Sequence, residues 1–292
     1  MKVFDPTELK KLYKPLLKSS GEDNGQVTII GGSKLFHGAP LLSLKVASRL
    51  TDMVFFTSPE KSLNSVVSRL KASLSSFIWV PWEEVDAYIE KSDAVLIGPG
   101  FMRFGSEKTS EEQRGQENHV EGKVTREITK VLLEKFPNKR WVIDAGSLQV
   151  MDAEWIPEGA VLTPNRKEFE LLFGKELEIR DQSSDLQRLT SKYKCTIILK
   201  GPETIVCSPD ECILVIGGNP GMTKGGTGDV LAGLTAALLA KNDPFLAACA
   251  ASYIEKYAAD ELFKKVGTNY NADDLADKIP EVLNQLTNNS KV

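Results

Sequence analysis

A glycine-rich segment with a single acid stands directly before a stretch of helix-forming residues. Residues 219–233 read NPGMTKGGTGDVLAG, and the chain continues as LTAALLAK. The N-terminus of a helix presents N–H groups without intrahelical acceptors at the positive end of the helix dipole. Glycines before it permit left-handed backbone angles and let phosphate oxygens approach the backbone closely. The KGGTGD segment (224–229) therefore predicts a cradle for phosphate.

The acid of this segment is Asp229, in the first turn of the predicted helix. Because the helix dipole stabilises a carboxylate there, we expect Asp229 to be ionised at neutral pH. One interpretation is that Asp229 only completes the helix start, which Thr227 could cap. The other is that Asp229 is a general base, taking a proton from a substrate hydroxyl beside a transferring phosphate. The adjacent cradle favours the second interpretation.

Two better-known phosphate-binding patterns do not fit this segment. The GxxxxGK[ST] order of a P-loop is absent. The segment also lies too late in the chain to be the glycine turn of an opening Rossmann βαβ unit.

The composition indicates a globular protein that binds neither nucleic acid nor a membrane. Of the 292 residues, 41% are hydrophobic and 26% charged, and the formal net charge is −4. No basic block offers a footprint for nucleic acid or an anionic membrane. No apolar run reaches membrane-spanning length, and the N-terminus lacks the apolar core of a signal peptide. We therefore expect a cytoplasmic protein.

The histidines and cysteines do not predict a metal centre. His37 and His119 are the only imidazoles, so a His/Cys metal site is not expected. The four cysteines form no CxxC pair, and we expect buried free thiols in a reducing compartment: Cys195, Cys207, Cys212 and Cys249.

Short apolar runs that alternate with amphipathic stretches predict the fold class. Strands separated by helices indicate βαβ units, and hence an α/β fold with a mostly parallel sheet and helices on both faces. The predicted strands are 27–32, 53–59, 77–80, 94–100, 141–145 and 160–165, and the predicted helices between them are 39–50, 61–71 and 124–136. Ligands bind beyond the carboxyl ends of strands in such sheets.

The alternation of predicted strands and helices ends after residue 195. Three closely spaced apolar runs, CTIILKG, TIVCSP and CILVIGG, predict antiparallel strands, and three helices follow, over 226–241 and beginning near 243 and 271. The polar segment 103–123 is predicted to be a long surface loop, with a lid as the alternative. We expect one domain over residues 1–292, with the first ~25 residues as an extension.

An ordered set of motifs resembles the ADP/ATP-dependent (S)-NAD(P)H-hydrate dehydratases of the ribokinase-like superfamily. GNPGMTKGGTGDVLAGLTAALLA resembles the C-terminal signature of that family, GGSKLFHGAPLLSLKVASRL its opening glycine turn and helix, and DAVLIGPG its GPG turn. LTPNRKEFELLFG is similar to its T-P-x-x-x-E helix start, and ILKGPETIVCSPD to its L-K-G-x-x-T strand pair. The resemblance spans Val27 to Leu286 and implies a three-layer αβα sandwich.

The resemblance implies a repair reaction on damaged nicotinamide cofactor. The ring hydroxyl of hydrated NADH or NADPH (NADHX or NADPHX) would be phosphorylated from ADP or ATP with Mg²⁺, and phosphate would then leave. Asp229 would be the catalytic base, and Glu168 would organise Mg²⁺ through phosphate or water. The chain would stand alone, with a separate epimerase chain and a possible homotetramer.

The same resemblance assigns binding residues. The nucleotide would contact Lys200, Gly201, Pro202, Glu203, Thr204, Asn219, Gly225, Gly226, Thr227 and Gly228. The hydrate would contact Ala39, Gly98, Gly100, Asp144 and Asn165, together with Asp229. From the residues alone, Gly98 and Gly100 are equally well explained as turn glycines around a proline.

Some residues depart from the family pattern and keep two alternatives open. TPNRKE carries Asn165 where the family has His, and DAGSL lacks the second acid of D-A-D-x-L. Asn165 favours a small-molecule kinase of the same fold, acting on a vitamin precursor or a sugar alcohol. A nucleotide-binding sensor without catalysis is the other alternative, against which the retained Asp229 argues.

Overall fold

The structure is a computed structural model that describes residues 1–104, 117–174 and 182–288. Within this part of the chain, one mixed sheet carries helices on both faces. Its strands are β1 (Lys2–Val3), β2 (Gln26–Ile30), β3 (Met53–Thr57), β4 (Ile78–Trp79), β5 (Ala94–Ile97), β6 (Arg140–Ile143), β7 (Val161–Leu162), β8 (Thr196–Leu199), β9 (Thr204–Cys207) and β10 (Cys212–Val215).

The α-helices follow the strands in regular alternation until the C-terminal part. They are α1 (Gly38–Ala47), α2 (Leu63–Leu70), α3 (Val85–Lys91), α4 (Glu117–Lys135), α5 (Ala145–Val150), α6 (Arg166–Phe173), α7 (Gln182–Tyr193), α8 (Thr227–Leu239), α9 (Pro244–Val266) and α10 (Ala272–Asn288). None of the helices in the described ranges is both long and apolar enough to cross a membrane.

The strand order is β1-β10-β9-β8-β7-β6-β5-β2-β3-β4. Strand β9 runs antiparallel to both β8 and β10, and all other neighbouring pairs are parallel. The predicted mostly parallel sheet with antiparallel strands late in the chain is confirmed. The connections between the parallel strands run through helices, as parallel pairing requires.

Alternate side chains of each strand enter two separate hydrophobic cores. In β5, Ala94 and Leu96 join the core shared with α1, α8, α9 and α10. Val95 and Ile97 join the opposite core, to which α3 to α7 contribute. This period-two alternation produces the predicted three-layer αβα sandwich, because each face of the sheet is covered by its own helices.

The N-terminal residues pack against the sandwich. Strand β1 pairs in parallel with β10 at the edge of the sheet. Leu9 is fully buried and Leu12 nearly so, both in the core with α9 and α10. That the whole chain is one domain is a proposal that the single sheet supports.

The sequence patterns missed some helices and placed one boundary wrongly. α3, α5 and α7 were not predicted. The segment 103–123 is not a loop throughout, because α4 begins at Glu117, while residues 105–116 lie outside the described ranges. Its lid role is therefore untested.

Two of the four cysteines are joined, which corrects the prediction of free thiols. Cys207 and Cys212 lie directly opposite each other in the β9–β10 hairpin and form a disulfide, with 4.1 Å between their Cα atoms. Cys195 and Cys249 are free and buried, as predicted. Burial raises the pKa of Cys195 to about 12, so it does not supply a reactive thiolate near neutral pH.

Candidate active site

Parallel strands bring the candidate residues to one edge of the sheet. Gly98 directly follows β5, Asp144 follows β6, and Lys200 follows β8. The N–H of Lys200 donates to the carbonyl of Pro164 at 2.9 Å, which carries the pairing beyond the ends of β7 and β8. The candidate residues thus lie at the edge where open α/β sheets bind ligands.

Lys200 lies within a cluster of acids at this edge. Its Nζ is 2.9 Å from Asp144 Oδ1 and 3.6 Å from Glu168 Oε2. Thr163 Oγ1 donates to the same oxygen of Asp144 at 2.7 Å. Burial lowers the pKa of Lys200, but the attraction of Asp144 and Glu168 outweighs burial and raises the pKa above its ordinary value. The ammonium group therefore stays charged and can bind an anion.

Glu168 is held by protein donors on both carboxylate oxygens. Oε2 accepts from the N–H of Asn165 at 2.8 Å, and Asn165 Oδ1 accepts in return from the N–H of Glu168 at 3.0 Å. Gln149 Nε2 donates to Oε1 at 3.0 Å. Asn165 and Glu168 thus form a capping box that orders the start of α6.

The acids of the site do not form a metal centre of their own. Among the described residues, no group of three or more His, Cys, Asp or Glu is arranged to hold a metal ion. Each oxygen of Glu168 accepts one hydrogen bond, which fixes the orientation of the carboxylate and leaves further lone pairs on both oxygens. A role for Glu168 through water or phosphate stays a prediction.

Asp229 lies in the first turn of α8, as predicted, but its pKa is raised above the ordinary value of an aspartate. The pKa of Asp229 is about 7, because burial and the negative charge of Asp144 raise it more than Lys200 lowers it. Desolvation therefore outweighs the helix dipole that the sequence argument relied on. A carboxyl with a pKa near the working pH is well suited to accept and release a proton.

The loop before α8 requires glycine and is held from within. Gly226 has φ +97°, and a Cβ there would lie 2.5 Å from Leu42 Cδ1 and 2.8 Å from Ala272 Cβ. Thr227 is buried, and its Oγ1 donates to the carbonyl of Met222 at 2.8 Å. Thr227 therefore holds the loop against the helix start and does not cap the helix with its side chain.

The start of α8 presents free donors, as an anion cradle must. Within the described part of the chain, the N–H groups of Gly228 and Asp229 meet no acceptor. A Cβ on Gly228 would lie 3.3 Å from Lys200 Nζ, so the lysine passes directly over this helix turn. An anion at this position would meet both the ammonium group and the N–H groups.

A cavity of about 510 Å³ opens beside this helix start. Its walls come from the turn after β8, the loop after β10, the first turns of α8, and α9. Seven of the predicted nucleotide-binding residues line it: Lys200, Gly201, Pro202, Thr204, Asn219, Thr227 and Gly228. A volume of this size suits a nucleotide. A separate cavity of about 390 Å³, between the N-terminal segment and α10, contains none of the predicted residues.

Three of the predicted nucleotide-binding residues do not line the cavity, and the side chain of a fourth forms hydrogen bonds within the protein. Glu203 is exposed on the turn before β9, and Gly225 and Gly226 lie in the loop before α8. Asn219 lines the cavity, but its Oδ1 accepts from Tyr270 Oη at 2.8 Å. The Asn219 side chain therefore shapes the loop, and nucleotide contacts by these four residues stay predictions.

Backbones approach closely at two of the predicted hydrate-binding residues, Gly98 and Gly100. A Cβ on Gly98 would lie 1.9 Å from the carbonyl oxygen of Asp144, and one on Gly100 would lie 2.2 Å from that of Phe36. Gly100 therefore packs the turn after β5 against the start of α1, which carries Ala39. These approaches explain the two glycines structurally, and their contact with substrate stays a prediction.

Lys256 and Glu255, neighbours on α9, also line the cavity and were missed from the sequence. The ammonium group of Lys256 donates to the carbonyl of Pro202 at 2.7 Å and to that of Gly217 at 3.0 Å. It therefore ties together the two loops that flank the cavity. The available signal was a charged pair inside the alanine-rich stretch LAACAASYIEKYAADEL.

Comparisons with known proteins identify the family of this chain. A family model described as NAD(P)H-hydrate dehydratase matches residues 27–281. The chain belongs to the NAD(P)H-hydrate dehydratase family. An ADP-dependent (S)-NAD(P)H-hydrate dehydratase of Cenarchaeum symbiosum is 30% identical over 266 residues, which are 89% of this chain and 89% of that protein.

Other members of the dehydratase family differ in length. A bifunctional NAD(P)H-hydrate repair enzyme of Methanocaldococcus jannaschii is 35% identical over 287 residues, which are 94% of this chain but 51% of the relative. The chain thus spans about half the length of several relatives that it matches.

The fold is that of solved ribokinase-like structures. An ADP/ATP-dependent NAD(P)H-hydrate dehydratase of Bacillus subtilis, co-crystallised with ATP and Mg²⁺, is 22% identical and superposes with a TM-score of 0.74 over 98% of each chain. At this identity the likeness establishes the fold, and the predicted ribokinase-like sandwich is confirmed.

Proposed function

We propose that this protein is a nucleotide-dependent dehydratase that repairs (S)-hydrated NADH and NADPH. The observation that carries the proposal is the position of Asp229, whose carboxyl lies beside free N–H groups and Lys200 in a member of this family. A base with a pKa of about 7 next to an anion cradle is what phosphoryl transfer to a hydroxyl needs.

The chemistry proceeds by phosphorylation and elimination. Asp229 takes the proton of the ring hydroxyl while the hydroxyl oxygen bonds to the terminal phosphorus of the nucleotide. The bond between that phosphorus and the bridging oxygen of the nucleotide breaks at the same time. The phosphorylated oxygen then leaves with its bonding electrons as inorganic phosphate, and a proton leaves the neighbouring ring carbon, which restores the ring double bond. Phosphate is a better leaving group than hydroxide, so nucleotide cleavage drives the dehydration.

The positive groups stabilise charge on the phosphoryl group in transfer. We expect this role for Lys200, which passes over the first turn of α8, and for the N–H groups of Gly228 and Asp229, which meet no acceptor in the described part of the chain. Mg²⁺ would arrive with the nucleotide phosphates and neutralise part of their charge. The Bacillus subtilis relative crystallised with ATP and Mg²⁺ supports a nucleotide co-substrate for this chain.

The direct test is recovery of NADPH from its hydrate, followed by absorbance, with ADP or ATP and Mg²⁺. We expect recovery with at least one of the two nucleotides, accompanied by one released phosphate for each NADPH formed. Absence of recovery with either nucleotide would contradict the proposal.

A small-molecule kinase is the second candidate, and Asn165 was its motivation. In the structure the Asn165 side chain accepts from the N–H of Glu168 and so caps α6. That role explains Asn165 without a different substrate, which makes the kinase the less supported candidate. A stable phosphorylated product in place of released phosphate would establish it.

A homotetramer, a separate epimerase chain and a cytoplasmic location belong to the same proposal. An exposed row of Val120, Val124 and Val131 on α4 supports assembly, because an apolar row on one helix face is commonly covered by a partner. Light scattering measures the assembly directly. The cytoplasm is where nucleotides and NAD(P)H are available to such an enzyme.

A further inference from the structure

Glu255 is a buried acid whose role the reaction above does not explain. It is 5% exposed, lies on α9 and lines the nucleotide cavity. Within the described ranges its carboxyl makes no hydrogen bond or ion pair with another side chain or with the backbone. The carboxyl borders the cavity, so a ligand that fills the cavity and displaces its water must take over the hydrogen-bonding capacity of Glu255.

The charges around Glu255 favour its neutral form. The pKa of Glu255 is about 8, because burial raises it more than Lys200 and Lys256 lower it, and Asp144 adds to the rise. Among the residues that line the cavity, the ionisable ones are Lys200, Glu255 and Lys256. Lys256 is committed to backbone carbonyls, and the closest acid to Lys200 is Asp144 at 2.9 Å. Neither lysine therefore acts as a full counter-ion for Glu255.

The expected ligand of this cavity is an anion, so the protonation state of Glu255 affects how the ligand binds. An ionised carboxylate would repel a nucleotide phosphate and offers only acceptors, whereas a protonated carboxyl offers an O–H donor. We propose that Glu255 binds the nucleotide as a neutral carboxylic acid, donating its O–H to an oxygen of the nucleotide, so that nucleotide binding takes up a proton at alkaline pH. This inference rests on the proposed nucleotide site.

The direction of the pH dependence follows from this arrangement. Below the pKa of Glu255 in the free protein the acid is already neutral, and binding takes up no proton through it. Above that pKa the carboxylate must be protonated at a cost, so the dissociation constant of the nucleotide rises up to about tenfold for each pH unit. Glu255→Gln keeps a neutral donor at all pH values, because an amide does not titrate.

The experiment measures ADP binding with Mg²⁺ by calorimetry between pH 6.5 and 9.5, in buffers of different ionisation enthalpy. For the wild type we expect weakening above pH 8 and net proton uptake there. For E255Q we expect affinity for ADP within about threefold of wild type at pH 6.5 and tighter binding than wild type at pH 9.5. Above pH 8 we expect E255Q to take up about half to one proton fewer than the wild type for each ADP bound. Phosphate protons of ADP contribute equally to both.

Two further variants make the comparison specific. Glu261→Gln changes an acid on the same helix that is paired with Lys264 at the surface, and it must bind ADP as the wild type does. In the Asp229→Asn background, which lacks the other acid that titrates near neutrality, the effect of E255Q on proton uptake must persist.

Equal pH dependence and equal proton uptake in wild type and E255Q would overturn the proposal, as would absence of ADP and ATP binding. The hydrate assay tests the dehydratase activity separately. A protein that binds ADP with the expected proton uptake but recovers no NADPH would contradict only the proposed function.

Discussion

The ammonium group of Lys200 lies 2.9 Å from Asp144 Oδ1, and each residue directly follows its strand at the same edge of the sheet. This pair sets the electrostatics of the site. Asp144 raises the pKa of Asp229 and Lys200 lowers it, while burial is the larger influence. The proton affinity of the proposed base is therefore adjusted by two residues that belong to neighbouring parts of the sheet.

Asp144→Asn removes one negative charge from beside Asp229. The pKa of Asp229 should fall, because a like charge that disfavoured its ionised form is gone. The value of kcat/KM rises with pH as Asp229 loses its proton, and we expect the midpoint of this rise to lie about 0.5–1 pH unit lower than in the wild type. Steady-state rates between pH 5 and 9 measure this shift. Lys200→Met should move the midpoint toward alkali, and movement of both variants in one direction would refute this electrostatic account.

Asp229→Asn should change how stability depends on pH. The pKa of Asp229 is about 7 in the folded protein against an ordinary value of 3.8, so the folded state binds more protons between these values. The free energy of unfolding of the wild type therefore falls as pH rises through that window. We expect D229N to gain roughly 3–4 kcal/mol relative to wild type between pH 4 and pH 8, since each unit of pKa difference corresponds to about 1.4 kcal/mol. Urea unfolding at the two pH values gives this difference, and a constant difference would contradict the pKa assignment.

Lys256→Met should loosen the nucleotide cavity. It removes the donor to the carbonyls of Pro202 and Gly217 and leaves these acceptors to reorganise. We expect the KM for the nucleotide to rise about tenfold and the free energy of unfolding to fall by about 2 kcal/mol. Lys264→Met is the matched control, because Lys264 lies on the same helix in a surface pair with Glu261. Equal effects of the two substitutions would show that Lys256 does not hold the loops.

Gly226→Ala should disrupt the cradle, whereas Gly225→Ala should not destabilise the fold. A Cβ at residue 226 meets Leu42 and Ala272 at less than van der Waals distance with φ at +97°, but one at residue 225 meets nothing within 4 Å. We expect Gly226→Ala to cost about 1–3 kcal/mol in unfolding free energy, and Gly225→Ala less than about 0.5. Thermal unfolding of the pair decides the matter, and equal losses would contradict the loop geometry.

Much of the architecture could be predicted from the sequence because periodicity encodes burial. The short, mainly apolar runs of β2, β5 and β8 identify strands that are buried on both faces. Short helices such as α5 escaped prediction because only six residues carry the pattern. β1 escaped because two exposed residues gain their pairing only from the distant β10.

The site was predictable where its chemistry is local and not where it depends on contacts across the fold. Asp229 and the glycines around it reveal an anion cradle within one short segment. Nothing local indicates that Gln149 donates to Glu168, since α5 and α6 bring them together. The raised pKa of Asp229 has no local sequence signal for the same reason, because burial and the position of Asp144 are properties of the tertiary structure.

The disulfide also shows what a sequence pattern leaves open. Cys207 and Cys212 are five residues apart, a spacing that is compatible with free thiols. Only the register of the β9–β10 hairpin places them directly opposite each other. That register is set by tertiary pairing and leaves no mark on the cysteine spacing.

The measurement that tests the central claim most directly compares Asp229→Asn with the wild type in two assays on the same preparations. We expect nucleotide binding by calorimetry to remain within about threefold, while NADPH recovery from the hydrate falls by about two to four powers of ten. That combination identifies Asp229 as the base, because the binding site is intact and only proton transfer is lost. Unchanged NADPH recovery in D229N would contradict the account.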